Sequence, residues 1–239
     1  MSLQKFEQKE AEILGGIKQR GLDALIQKGL VANIPKSGAQ AGYLVVLRYG
    51  DEFTSKIGEF SLEVNWALEG RALVYDEANI HQTIVDFNLQ EIPTSEFIPD
   101  RKILGGLSES THRALKTFKQ HYLGFGPATA FKEYLNSPDS VILTPLESRG
   151  NYSLIELIAS EAQKNKLEVR KAWGRHVTVN RFTEEVPLGE LENFKQLLER
   201  ANSEASFLKQ EYKAKRLDIG YFILNKQSFA LHVSDSLKI

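Results

Sequence analysis

The chain has 239 residues, 42% of them hydrophobic, which is enough for a sizeable core in one large domain or two small lobes and too apolar for a disordered chain. With 30 basic side chains against 31 acidic ones the formal charge is −1, so no global field draws it to nucleic acid or to a membrane surface, and any anion must be held by a local site. The lack of cysteine excludes disulfides, cysteine nucleophiles and thiolate metal sites, and no apolar run is long enough to span a bilayer, so a soluble, cytoplasmic protein is expected.

Residues 5–31 carry apolar side chains at Phe6, Ile13, Leu14, Ile17, Leu22, Leu25, Ile26 and Leu30, with the helical spacing interrupted at Gly15, Gly16 and Gly21. This predicts two short amphipathic helices in an N-terminal extension over residues 1–40. The stretch NIPKSGAQAG at 33–42 reads as a linker, and YLVVLRY at 43–49 as the first strand of a domain spanning 41–239. A helix fits 56–68, with Ile57, Phe60, Val64, Ala67 and Leu68 on one face, followed by a short strand, ALVY, at 72–75. The next strand, NIHQTIVDF at 79–87, carries a histidine and a threonine two positions apart. Such residues point to the same face, so His81 and Thr83 look one way and Ile80, Gln82 and Ile84 the other.

A loop-rich connection runs over 86–107, a helix fits 109–123, and GFGP at 124–127 reads as a helix-ending turn. The earlier order then returns. SVILTP at 140–145 reads as a strand, 152–166 as a helix with Leu154, Ile155, Ile158 and Ala162 inward, and GRHVTVNRF at 174–182 as a second strand with His176 and Thr178 on one face. The histidines lie 95 residues apart. Sliding the chain by that interval lays Val46 on Val141, Leu47 on Ile142, Phe60 on Ile155, Val64 on Ala159 and Val74 on Val169. The pattern predicts an internal duplication. A helix at 187–203 and a hairpin turning near 225–227 close the chain. The expected fold class is α+β, bilobal and duplicated, with antiparallel sheets, helices on their outer faces, and both His-Thr walls in a central groove.

One His-x-Thr pair on a strand is usually a hydrogen-bonded core pair; two in the same order of elements call for chemistry. Two imidazoles suit phosphodiester cleavage by general acid and base, one taking a proton from the attacking oxygen and the other giving one to the leaving oxygen. The hydroxyls of Thr83 and Thr178 would donate to the non-bridging phosphate oxygens. A metal site built from His81 and His176 has no third ligand at a recognisable spacing, and Asp86, the candidate for it, faces away in a regular strand, so neither metal nor cofactor is expected. His112 and His121 read as surface side chains and His232 as a structural one. Trp173, Arg175 and Tyr152 are candidates for stacking on a base or contacting a phosphate.

The tetrads His81-Gln82-Thr83-Ile84 and His176-Val177-Thr178-Val179, one in each half of a duplicated chain, resemble the two signature motifs of the 2H phosphoesterase superfamily, which includes the bacterial RNA 2′,3′-cyclic phosphodiesterases, also called 2′-5′ RNA ligases. The resemblance covers about residues 43–239. Arg181 resembles the basic residue often found just after the second tetrad. The resemblance implies a metal-independent bilobal enzyme acting on a cyclic or 2′-5′ phosphodiester of RNA or a nucleotide, with His176 as base and His81 as acid for opening a cyclic phosphate, and a monomer is expected. A non-catalytic module binding RNA ends or nucleotides in the same groove is the alternative. Gln82 stands where the family prefers an apolar residue, and residues 1–40 have no counterpart in its common core.

Overall fold

In the computed structural model, which describes residues 2–35, 37–93, 97–122 and 126–239, the protein has an α+β fold whose ten strands form one antiparallel sheet that does not close. The GFGP turn, through Gly124 and Phe125, falls outside the described residues. The first half supplies β1 (Ala39–Arg48), α2 (Asp51–Ala67), β2 (Ala72–Val74) and β3 (Gln82–Ile92), preceded by α1 (Leu3–Asp23). After α3 (Arg101–Tyr122) and β4 (Ala128–Asn136), the second half repeats the order as β5 (Ser140–Arg149), α4 (Asn151–Lys164), β6 (Arg170–Lys171) and β7 (Val177–Phe182). α5 (Glu192–Glu204), β8 (Tyr212–Lys213) and the hairpin β9 (Arg216–Leu224) and β10 (Phe229–Lys238) complete it.

The strand order is β10-β9-β1-β3-β7-β5-β4-β8. The two His-Thr strands are therefore central neighbours, joined through the single pair Gln82 and Val177, so the halves share one sheet rather than building two. They also exchange parts. β2 of the first half pairs with β7 of the second, and β6 of the second pairs with β3 of the first. The helices cross over as well, α2 packing on β7 and α4 on β3. Such reciprocal exchange makes the halves one cooperative unit.

The 95-residue interval holds at the His-Thr strands and drifts between them. Thr83 lies opposite Val46 and Thr178 opposite Ile142, so Val46 matches Ile142 rather than Val141. The buried faces of the two helices, Phe53, Ile57, Phe60, Ser61 and Val64 against Asn151, Ile155, Ile158, Ala159 and Ala162, put Phe60 on Ile158. Likewise Val74, opposite Asn180, matches Lys171, opposite Val85. Turn lengths are free to change once each face keeps its burial.

The N-terminal segment is one helix rather than two. Ser2 caps it by accepting from the Lys5 N–H, and it runs through all three glycines before a π-helical turn at Ala24–Lys28. Glycine inside a helix costs only about 1 kcal/mol, which packing recovers. At Gly21 the reason for it is close approach: a Cβ there would lie 1.9 Å from the Asn136 carbonyl oxygen in β4. Nor is α1 detached from the domain, because Phe6 joins the main core, a burial worth roughly 2–3 kcal/mol. β1 begins at Ala39, inside the expected linker, and α3 at Arg101, inside the expected loop.

Candidate active site

Each histidine sits at the entry to its strand, one residue before β3 or β7 begins. Just beyond each threonine the ladder contains an extra residue. Opposite β1, Val85 pairs with Val45 and Thr83 with Val46, leaving Ile84 unpaired; opposite β5, Asn180 pairs with Val141 and Thr178 with Ile142, leaving Val179 unpaired. These are β-bulges at equivalent positions of the two halves, and each inverts the facing of the residues beyond it. The consequence falls on Asp86 and Arg181, themselves 95 residues apart. In a regular strand both would face away from the histidines; after the bulge both turn into the same cleft.

That cleft, of about 560 Å³, is lined by His81, Thr83, His176, Thr178 and Arg181, and its size lies in the range of small-ligand sites. Asp86, expected to face away, stands on its wall, where Arg170 of the exchanged strand β6 grips it through Nε to Oδ1 at 2.8 Å and Nη2 to Oδ2 at 3.0 Å. Arg181 has no such partner: its Nε donates to the Tyr75 hydroxyl at 3.1 Å, and among the described residues no carboxylate comes within ion-pair distance. Arg181 thus gives the cleft a local positive charge beside two imidazoles in a chain of nearly zero net charge.

His81 is only 8% exposed, lies against the Phe229 ring at 5.6 Å, and has its Nδ1 2.6 Å from the Asn79 carbonyl oxygen. That contact requires a proton on Nδ1 and leaves Nε2 for the cleft. Burial lowers its pKa from 6.5 to about 4, the Asn79 carbonyl opposing and Arg48 and Arg181 assisting. His176 is lowered to about 4 as well, by burial first and then by Arg181 and His81. Its ring stacks on Trp173 at 4.1 Å and 19°, and its buried Nδ1 lacks a hydrogen bond although Gly174 lies where Asn79 lies for His81. Thr83 and Thr178 are half-buried, and among the described residues no hydrogen bond engages either hydroxyl.

The remaining sequence candidates separate. Trp173 lines the cleft. Arg175 does not: it is 7% exposed and committed to Glu10 of α1, 4% exposed, whose carboxylate accepts from the Arg175 backbone N–H, Nε and Nη2. Tyr152 packs against Phe6 of α1, at 5.0 Å between rings, and is not part of the cleft wall. Gln82, facing away from the cleft as expected, accepts from the Tyr49 hydroxyl at 2.6 Å and from Asn151 Nδ2 at 3.2 Å, in a buried network that also includes Thr129. The network explains a polar residue where an apolar one would serve. His112 contacts Asp235, His121 the Thr117 carbonyl, and His232 stacks on Tyr221, all away from the cleft.

Sequence reasoning missed the floor. Tyr75, Phe229 and Phe222 stack in succession, at 4.9 Å and 5.6 Å between centroids, with Phe229 also against His81, and the two phenylalanines bring the closing hairpin into the site. The β9-β1 and β10-β9 pairings place Phe222 and Phe229 there and the β2-β7 pairing brings Tyr75, and nothing local in the sequence announces any of the three. Among the described residues no helix is long and apolar enough to cross a membrane, and no three His, Asp or Glu side chains group as a metal-binding set.

No family model matches the chain, and no curated protein matches it. Among solved structures it is similar to a conserved protein of unknown function from Agrobacterium tumefaciens, with 10% identity and a TM-score of 0.47 over 89% of this chain and 97% of that one.

Proposed function

We propose that the protein is a metal-independent phosphodiesterase that opens a cyclic or 2′-5′ phosphodiester of RNA or a nucleotide, acting as a monomer in the cytoplasm. The observation that carries this reading is the convergence of two His-Thr pairs, from equivalent bulged strands, on one cleft holding an unpaired guanidinium. Arg181 and the two hydroxyls would take the non-bridging oxygens, where charge grows as the fifth bond to phosphorus forms. His176 Nε2 takes the proton of the attacking water as its oxygen bonds to phosphorus. The bond to the sugar oxygen breaks on the opposite side, and that oxygen takes its proton from His81, leaving a phosphomonoester. His81 suits the acid role because the Asn79 carbonyl and Asp218 both favour its protonated form. In the ligating direction the roles exchange.

The free cleft disfavours the protonated acid, since both imidazoles have pKa values near 4. A bound phosphate supplies the opposite charge and raises them, so the acid is loaded together with the substrate. The same depressed basicity favours the second reading, a module that binds an RNA end or nucleotide without turnover. The test is hydrolysis of nucleoside 2′,3′-cyclic monophosphates and short RNAs with cyclic ends, in chelator. Monoester products support the enzyme; binding without product supports the module; neither, with folded protein, rejects both.

A further inference from the structure

The residues around His176 line more than one cavity. A second cavity of about 290 Å³ shares Trp173, His176, Thr178 and Arg181 with the cleft and continues to the β4-β5 turn and the side of α1. Its outer wall carries Ile17 and, one turn on, Arg20. Arg20 is exposed, and no carboxylate pairs with it among the described residues. Asp139 also lines this cavity, its Oδ1 already accepting from Ser137 at 2.6 Å and Ser140 at 3.0 Å. The lining of this cavity thus holds two cations, Arg181 and Arg20, neither of them ion-paired among the described residues, and a carboxylate, Asp139, able to accept from a hydroxyl.

The placement of Arg20 is fixed by how α1 is held. Glu10 clamps Arg175, Ile17 packs with Leu135 and Ile142, and Trp173 packs against that same cluster while stacking on His176. Arg20 therefore stands on a helix whose backbone is anchored at several points to the segment leading into the site.

We propose that α1 completes a second phosphate subsite, and that the ligand of this cleft carries two phosphate groups joined through a sugar, one at His81, His176 and Arg181 and the other at Arg20, with a sugar hydroxyl donating to Asp139. This rests on the proposed function and narrows it to bisphosphorylated nucleotides or phosphorylated oligonucleotide ends. A terminal phosphate carries up to two charges at neutral pH, and a charge-assisted bond to it from Arg20 corresponds to roughly a tenfold gain in affinity or more.

The test is calorimetric titration of wild type, Arg20→Ala and Arg181→Ala with a nucleoside 2′-monophosphate and with the same nucleoside 2′,5′-bisphosphate. The expected result is that the bisphosphate binds wild type at least tenfold more tightly, that Arg20→Ala brings the two ligands to within about twofold, and that Arg181→Ala weakens both. Equal binding of the two ligands by wild type, or a preference that survives in Arg20→Ala, overturns the subsite and leaves the cleft reading intact. Binding of neither ligand by folded wild type overturns the cleft reading and the subsite with it.

Discussion

Glu10→Ala removes the partner of a guanidinium that has almost no access to water. The Glu10 carboxylate accepts from three donors of Arg175, one of them its backbone N–H, so truncation leaves a buried charge and a buried amide together. Arg175 retains Ser148 at 2.7 Å and Glu7 at 3.5 Å, which soften the loss without removing it. Breaking a buried pair of this kind costs about 3–5 kcal/mol, and for a chain of this length each 1 kcal/mol shifts Tm by about 2–4 °C. Arg175→Met alone strands the carboxylate and costs a similar amount. The double variant Glu10→Leu/Arg175→Met buries two apolar side chains of like volume and recovers most of the loss. Urea unfolding of the four proteins closes the cycle, with midpoints converted through a common slope. Because this clamp holds the segment leading to Trp173 and His176, Glu10→Ala also lowers turnover. A Glu10→Ala cost below about 1 kcal/mol, or a double variant as unstable as the singles, would refute the idea that α1 is tied to the site through a buried charge pair.

Other outcomes concern the cleft. Both histidines have folded-state pKa values near 4, below the 6.5 of the unfolded chain, so the unfolded state binds more protons between those values. Their contribution is therefore full above pH 6.5 and lost as pH falls to about 4, a change of roughly 3 kcal/mol for His81. His81→Asn flattens that part of the stability profile, read as urea midpoints at pH 7 and pH 4.5; an unchanged profile contradicts the burial argument. The same values predict that kcat/KM, which reports the free enzyme, falls tenfold per pH unit through the neutral range, while kcat persists to higher pH because bound phosphate raises the acid. Parallel profiles would argue against loading by substrate. Arg181→Met should lower kcat/KM by roughly 10- to 100-fold and raise both histidine pKa values, observable by imidazole proton titration in NMR; unmoved pKa values would place Arg181 outside the cleft.

The class of fold, the duplication and the four His and Thr residues were legible because they rest on alternation and order, which survive small shifts in length. The facing of Asp86 was not. Parity counting assumes a regular strand, and a single extra residue at Ile84 or Val179, both ordinary strand formers, reverses it without a local signal. β4 escaped notice because ATAFKEYLN alternates poorly and holds helix-favouring Ala, Lys and Glu, yet its neighbours bury it. The start of α3 was hidden by Gly105 and Gly106, although at Gly106 the missing side chain admits Leu167, whose Cδ1 would lie 3.0 Å from a Cβ. Arg175 and Tyr152 were misplaced for another reason: their partners, Glu10 and Phe6, lie more than 140 residues away in a helix that periodicity alone could not dock.

The central claim is that His81 and His176 act on one phosphate as a unit. Its most direct test is kcat/KM for 2′,3′-cyclic phosphate opening, in chelator, by wild type, His81→Ala, His176→Ala and the double variant. The expected result is a loss of about 10²- to 10⁴-fold for each single variant and little further loss for the double. Losses that multiply, a single variant that keeps wild-type turnover, or activity restored to the variants by divalent metal would contradict it.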